Sequence, residues 1–170
     1  MKKRQFAAVL GCILILSSGC TKSNILKPEG KPTPDFSIVT DVELDWAQIN
    51  DDVLSCYEDS DEYPGLIVFN YAHKDEEKRI EAQLFVDDTV KGKAAAVYAS
   101  DLIKYLNDAI AVQNNSLALS SKDQYGGFFD DYSFIVQVIP EATKDDEETW
   151  LVNMSVEAGQ HTQIVPLEGK

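Results

Sequence analysis

The chain has 170 residues and a formal net charge of −14, with 15 Lys and Arg set against 29 Asp and Glu. That length suits one domain with a single core. A surface so rich in carboxylates repels phosphate backbones, so a nucleic-acid-binding role is excluded.

The N-terminus opens Met1-Lys2-Lys3-Arg4 and continues from Phe6 to Leu16 without a charge. It closes on Ser17-Ser18-Gly19-Cys20. A basic start, a short apolar stretch and small residues before a break are the parts of an export signal. The apolar stretch falls short of the roughly 20 residues a helix needs to cross a bilayer, and it lacks the polar face that a helix packed on a domain core turns to water. The segment ending in Gly19-Cys20 resembles the lipobox of bacterial lipoproteins, with Ser17 where Leu is usual. The resemblance covers residues 1 to 20 only. It implies that residues 1–19 are removed and that the Cys20 thiol carries a diacylglyceryl group. Two or three acyl chains hold a protein to a membrane for practical purposes permanently, because each buried methylene contributes about 0.8 kcal/mol. The expected address is therefore exported and lipid-anchored, on the outer face of the cell membrane or in an outer membrane.

Loss of Lys2, Lys3 and Arg4 with the signal takes the net charge from −14 to −17. Only Cys56 then remains besides the anchor, which excludes a disulfide-stapled scaffold. Residues 20–34 form the lipidated Cys and a tether rich in proline and lysine, TKSNILKPEGKPTP, semi-extended and able to rest its lysines near anionic headgroups. Residues 35–170 form a single acidic domain.

Within that domain, Thr40-Asp41-Val42-Glu43 has the form of a capping box. Val42, Trp46, Ile49, Val53 and Cys56 follow at steps of four, three, four and three, which predicts one buried helical face with a packed Cys56 thiol. The acids and the Pro64-Gly65 pair after it break the helix. Leu66 to Ala72 and Arg79 to Val86 predict a β-hairpin, the second strand alternating Ile80, Ala82, Leu84 and Val86 inward. Lys93 to Gln113 predicts the longest helix, with Ala95, Ala99, Leu102, Leu106 and Ala109 or Ile110 on its apolar stripe. After a polar stretch, Ser116 to Asp131, strands are expected over Tyr132 to Ile139 and Thr149 to Ala158, with a short edge strand at His161 to Leu167. This order predicts an α+β fold: an antiparallel sheet of four to five strands with two helices packed on one face.

Candidate chemistry is sparse. Asp59, Asp61 and Glu62 suggest calcium, but an EF-hand would need Gly and a late acid where Pro64 and Asn70 stand. Asp87-Asp88 and Asp145 to Glu148 read as solvated turns. His73 and His161 belong to no zinc pattern, and no nucleophile elbow or phosphate loop is present. No metal and no cofactor is expected. The stretch Gln124 to Tyr132 carries four rings around Gly126-Gly127. Tyr125, Phe128, Phe129 and Tyr132 are candidates for contact with a partner, against the alternative that the rings fold back over the sheet.

The sequence thus predicts a membrane-anchored, non-enzymatic domain that binds a protein or ligand, with a basic protein or peptide as the partner its charge favours. The competing expectations are an exported hydrolase drawing on carboxylates such as Glu81 or Asp131, and a carrier of a small ligand or cation.

Overall fold

The computed structural model describes residues 42–57 and 61–170. Cys20, the tether and Asp59 lie outside the described residues. The chain runs as helix α1 (Trp46–Tyr57), strands β1 (Leu66–Lys74) and β2 (Arg79–Val86), helix α2 (Gly92–Gln113), then strands β3 (Ser133–Pro140) and β4 (Val152–Val156). The four strands form one sheet in the order β1-β2-β3-β4.

The α+β fold is as the sequence predicts, and both outer pairs, β1 with β2 and β3 with β4, are antiparallel. The central pair differs from the expected all-antiparallel sheet: β2 and β3 run parallel, from Arg79 beside Ser133 to Val86 beside Pro140. The cause is the length of α2. At about 1.5 Å per residue its 22 residues cover some 33 Å, more than the roughly 26 Å of an eight-residue strand. The helix therefore returns the chain to the end where β2 began, and β3 sets out in the same direction.

Strict alternation in the strands makes one face of the sheet the core. Ile80, Ala82, Leu84 and Val86 of β2 are buried, as are Phe134, Val136 and Val138 of β3 and Val152 and Val156 of β4. The predicted stripe of α2 covers them, with Ala95, Ala99, Leu102, Leu106 and Ile110 all buried. Twelve of the 22 residues of α2 are buried in all, more than the roughly three in seven that one apolar face supplies. The excess, including Tyr98 and Asn107, is covered by segments packed on the flanks of the helix.

Helix α1 begins later than its sequence signal. Asp45 is the N-cap, its Oδ1 accepting from the amides of Ala47 and Gln48 at 3.1 Å each, so two otherwise orphaned donors are satisfied there. Val42 and Glu43 precede the helix, and Thr40 and Asp41 lie outside the described residues. Ile49 and Val53 are buried, Trp46 and Tyr57 are partly buried on the same face, and Cys56 is exposed. On the helical wheel residue 56 falls within about 20° of the buried Ile49, so its exposure follows from its place in the last turn of α1, beyond the cover that Ile49 and Val53 receive. The expected packed thiol is thus corrected to a surface one.

Four tyrosines close the junction of α1 with α2. Tyr63 shares a 2.8 Å hydroxyl contact with Tyr105 and donates to Asp101 Oδ2 at 3.1 Å. Tyr57 donates to the Tyr98 carbonyl, and Tyr98 to that of Pro64. Burial pushes the Tyr57 and Tyr63 phenols well above their ordinary range, so they act as neutral donors. On β1, burial with help from Asp51 takes Tyr71 up to about 12.

The 161–167 segment is not a strand. It is fixed by isolated bonds, Tyr125 Oη to the Thr162 carbonyl, the Ile164 amide to Tyr125 Oη, and the Leu167 amide to the Leu151 carbonyl. Pro166 has no amide hydrogen to give a ladder.

Candidate functional site

The aromatic stretch lies mostly inside the protein. Tyr125, Phe128 and Phe129 are 4%, 6% and 1% exposed, which corrects the expectation that they offer a contact surface. Tyr132 is half-buried and stacks on Phe128 with ring centroids 4.2 Å apart. Asn107, fully buried on α2, holds the stretch in place. Its Oδ1 accepts from the Phe128 amide at 3.0 Å, and its Nδ2 donates to the Ala118 carbonyl at 3.1 Å and Asp108 Oδ1 at 2.9 Å. Asp108 in turn accepts from the amide and hydroxyl of Ser120. The glycine pair permits this approach. Gly126 has φ +104° and a Cβ there would lie 2.0 Å from Asn107 Nδ2, while one on Gly127 would lie 2.6 Å from the Ala118 amide. The rings thereby fold back onto the core, the other reading of this stretch.

The polar candidates are dispersed. Glu81 takes both Nε and Nη2 of Arg79, at 3.1 and 2.9 Å, and Arg79 also pairs with Glu77. That carboxylate is thus occupied within the strand rather than presented to a cleft. Asp131 is exposed in the turn before β3. The Thr89 hydroxyl and amide hold the Asp87 carboxyl below its usual range, and Asp146 caps a short turn through the Glu148 amide. His73 stacks flat on Trp46, with centroids 4.1 Å apart. His161 accepts the Tyr125 amide at Nδ1 and faces Asp130 Oδ1 across 3.5 Å at Nε2. Partial burial of its sulfur raises the Cys56 thiol pKa, so it stays a thiol at neutral pH. Among the described residues, no group of three His, Cys, Asp or Glu side chains converges on a metal-sized site.

What the fold leaves open is the sheet face turned away from the helices. Strand register aligns Asn70, Gln83, Gln137 and Asn153 in a row across all four strands. Gln83 Nε2 donates to Gln137 Oε1 at 2.8 Å, and Gln137 Nε2 to Asn153 Oδ1 at 3.3 Å. At about 4.8 Å between strands the row spans some 14 Å. On one side of it lie Ala72, Glu81, Ile135 and Ser155, and on the other Val68, Phe85 and Ile139. A shallow depression of about 430 Å³ follows the row between β1 and β3. The row is half-exposed and nearly uncharged, while Ile139 beside it is buried. Each amide carries donors and acceptors beyond those used within the row.

No protein-family model matches the chain, and comparison with curated proteins and with solved structures finds no match either.

Proposed function

We propose that the chain is an exported bacterial lipoprotein, held to a membrane by a lipid on Cys20, whose acidic domain binds a basic protein partner through the open sheet face. The observation that carries this reading is the amide row Asn70-Gln83-Gln137-Asn153, flanked by Phe85 and Ile135. It is an uncharged centre on a domain where 28 acids oppose 9 bases from Asp35 onward. Interfaces commonly combine such a centre with a charged rim that steers the partner. The dispersal of Glu81 into an ion pair, rather than into a cleft with a second carboxylate, favours binding over hydrolysis. No helix among the described residues is long and apolar enough to cross a membrane.

Two experiments test the parts separately. Intact-mass analysis of membrane-extracted protein should show loss of residues 1–19 and an acylated Cys20, and Cys20→Ser should release the domain or leave it unprocessed. An unmodified Cys20 overturns the anchor. A photo-crosslinking residue at Ile135 should give a discrete adduct with a basic protein in the cell envelope, absent when placed at the exposed Val112 and lost with Gln83→Lys/Gln137→Lys. Equal adducts from both positions overturn the interface.

A further inference from the structure

Beyond the sheet face, a groove runs along the exposed flank of α2, walled on its other side by the 161–166 segment. Two adjoining cavities form it, of about 320 and 400 Å³, and Ser100 and Gln163 line both. The first is apolar. Ala96 and Ile164 are buried at its base, and Val97 and Val165, 50% and 55% exposed, stand on its two walls beside Pro166. The second is polar and cationic, with Lys104, Lys122, Gln124 and His161 around it. Lys104 Nζ donates to the Lys122 carbonyl at 3.1 Å, which fixes its position and leaves two of its three donors for a ligand.

The charge of this groove runs against that of the domain. Of nine bases from Asp35 onward, Lys93, Lys104 and Lys122 line it, against Asp101 and Asp123 among 28 acids. Asp101 is already engaged by the Tyr63 hydroxyl. An apolar channel that opens onto a cavity lined by two lysines matches one kind of molecule, an alkyl chain with an anionic end. From Lys93 to Lys104 the helix advances about 16 Å, the length of a medium-chain acyl group. A peptide fits less well, because the wall lacks a ladder donor at Pro166 and the Leu167 amide is spent on Leu151.

We propose that this groove binds a free fatty carboxylate, with its chain between Val97 and Val165 and its carboxylate between Lys104 and Lys122. The site is independent of the sheet-face reading. The test uses the full chain in its own membranes, labelled with a photoactivatable dodecanoate bearing a diazirine on its chain. Labelling should map to the peptides carrying Val97 and Val165. Unlabelled dodecanoate should compete, and dodecanol should do so at least tenfold more weakly. Lys122→Glu, an exposed change, and Lys104→Glu/Lys122→Glu should each raise the competing concentration of dodecanoate about tenfold or more. Each added methylene from decanoate to dodecanoate should lower it about twofold, half-exposure weakening the roughly fourfold gain of full burial. Gln83→Lys/Gln137→Lys should leave labelling unchanged. Labelling spread over the surface, equal competition by the alcohol, or indifference to Lys122→Glu overturns the proposal. Stronger labelling by a diazirine phospholipid in vesicles than by the free acid identifies bilayer lipid as the ligand and overturns it too, as does displacement only by an acidic peptide.

Discussion

Replacing Asn107 with Ala removes three hydrogen bonds, but the cost is unequal among them. The Ala118 carbonyl still accepts the Gly127 amide at 2.9 Å, and Asp108 keeps both bonds to Ser120. The Phe128 amide is different: it is buried and gives its hydrogen to Asn107 Oδ1. An unsatisfied buried donor costs about 1–3 kcal/mol, and the void left by the amide group adds of the order of 1 kcal/mol. Asn107→Ala should therefore lower the unfolding free energy by about 2–4 kcal/mol, measured by urea denaturation followed by tryptophan fluorescence. Trp46 reports on the region directly, since its ring lies 6.4 Å from that of Phe128. Asn107→Asp sharpens the test. It keeps the acceptor for Phe128 but sets an oxygen where Nδ2 now meets Asp108 and the Ala118 carbonyl. Burial beside a second carboxylate raises the pKa of the introduced group in the folded state. Its stability should then be near that of the native chain at low pH and be lost as pH climbs from about 4 through the raised folded value. A loss under 0.5 kcal/mol for Asn107→Ala, or a pH-independent deficit for Asn107→Asp, refutes the assigned role.

Three further outcomes follow from single features. Lys78 sits at φ 46° and ψ 56°, closing the β1–β2 turn in the left-handed region; Lys78→Gly should stabilise by about 0.5–1 kcal/mol in the same denaturation assay, as relief of strain exceeds the added chain entropy, whereas Lys78→Ala should gain nothing. Burial raises the Asp101 carboxyl pKa against the lowering influence of Tyr63 and Lys104. The folded state thus holds that proton more tightly, so stability falls as pH rises through the folded pKa, and Asp101→Asn should match the native chain at pH 3 and exceed it at pH 7. Outer strand β1 exposes Ile67 and Val68, at 54% and 45%, on a domain whose excess of acids makes copies repel one another; sedimentation should show self-association at about 1 M salt, where screening shortens to about 3 Å, and Ile67→Lys should abolish it.

Strand β2 was legible to the residue because its alternation is strict and Arg79 and Asp87 bound it. The stripe of α2 was legible for the same reason, period 3.6 held over about four turns. The parallel pairing of β2 with β3 was not, since direction depends on where α2 returns the chain and not on either strand's own residues. The rings of Tyr125, Phe128 and Phe129 were ambiguous because local composition looks alike for a ring that faces water and one that faces a core. Yet a signal existed. Asn107 lies four residues after Ile103 and three before Ile110, a polar group on an apolar face, and such a group needs a backbone partner from outside the helix. The row of amides depended on register: Gln83 reads as an outward polar residue until pairing sets it beside Gln137.

The Asn107 clamp also explains why α2 carries a groove while the sheet carries an open face. By drawing Ala118 and Phe128 onto the helix, it brings the connecting stretch that contains Lys122, Gln124 and Tyr125 against α2, and Tyr125 then ties down Thr162 and Ile164 through its hydroxyl. The wall that faces α2 and the cationic end of the groove thus descend from one buried amide. The sheet face has no such dependence, because its row is set by strand pairing alone. Loss of the clamp should therefore release the cationic end of the groove before it disturbs the amides. Of the two surfaces, the sheet face rests on strand pairing, and the groove rests in addition on the Asn107 and Tyr125 contacts that hold its second wall.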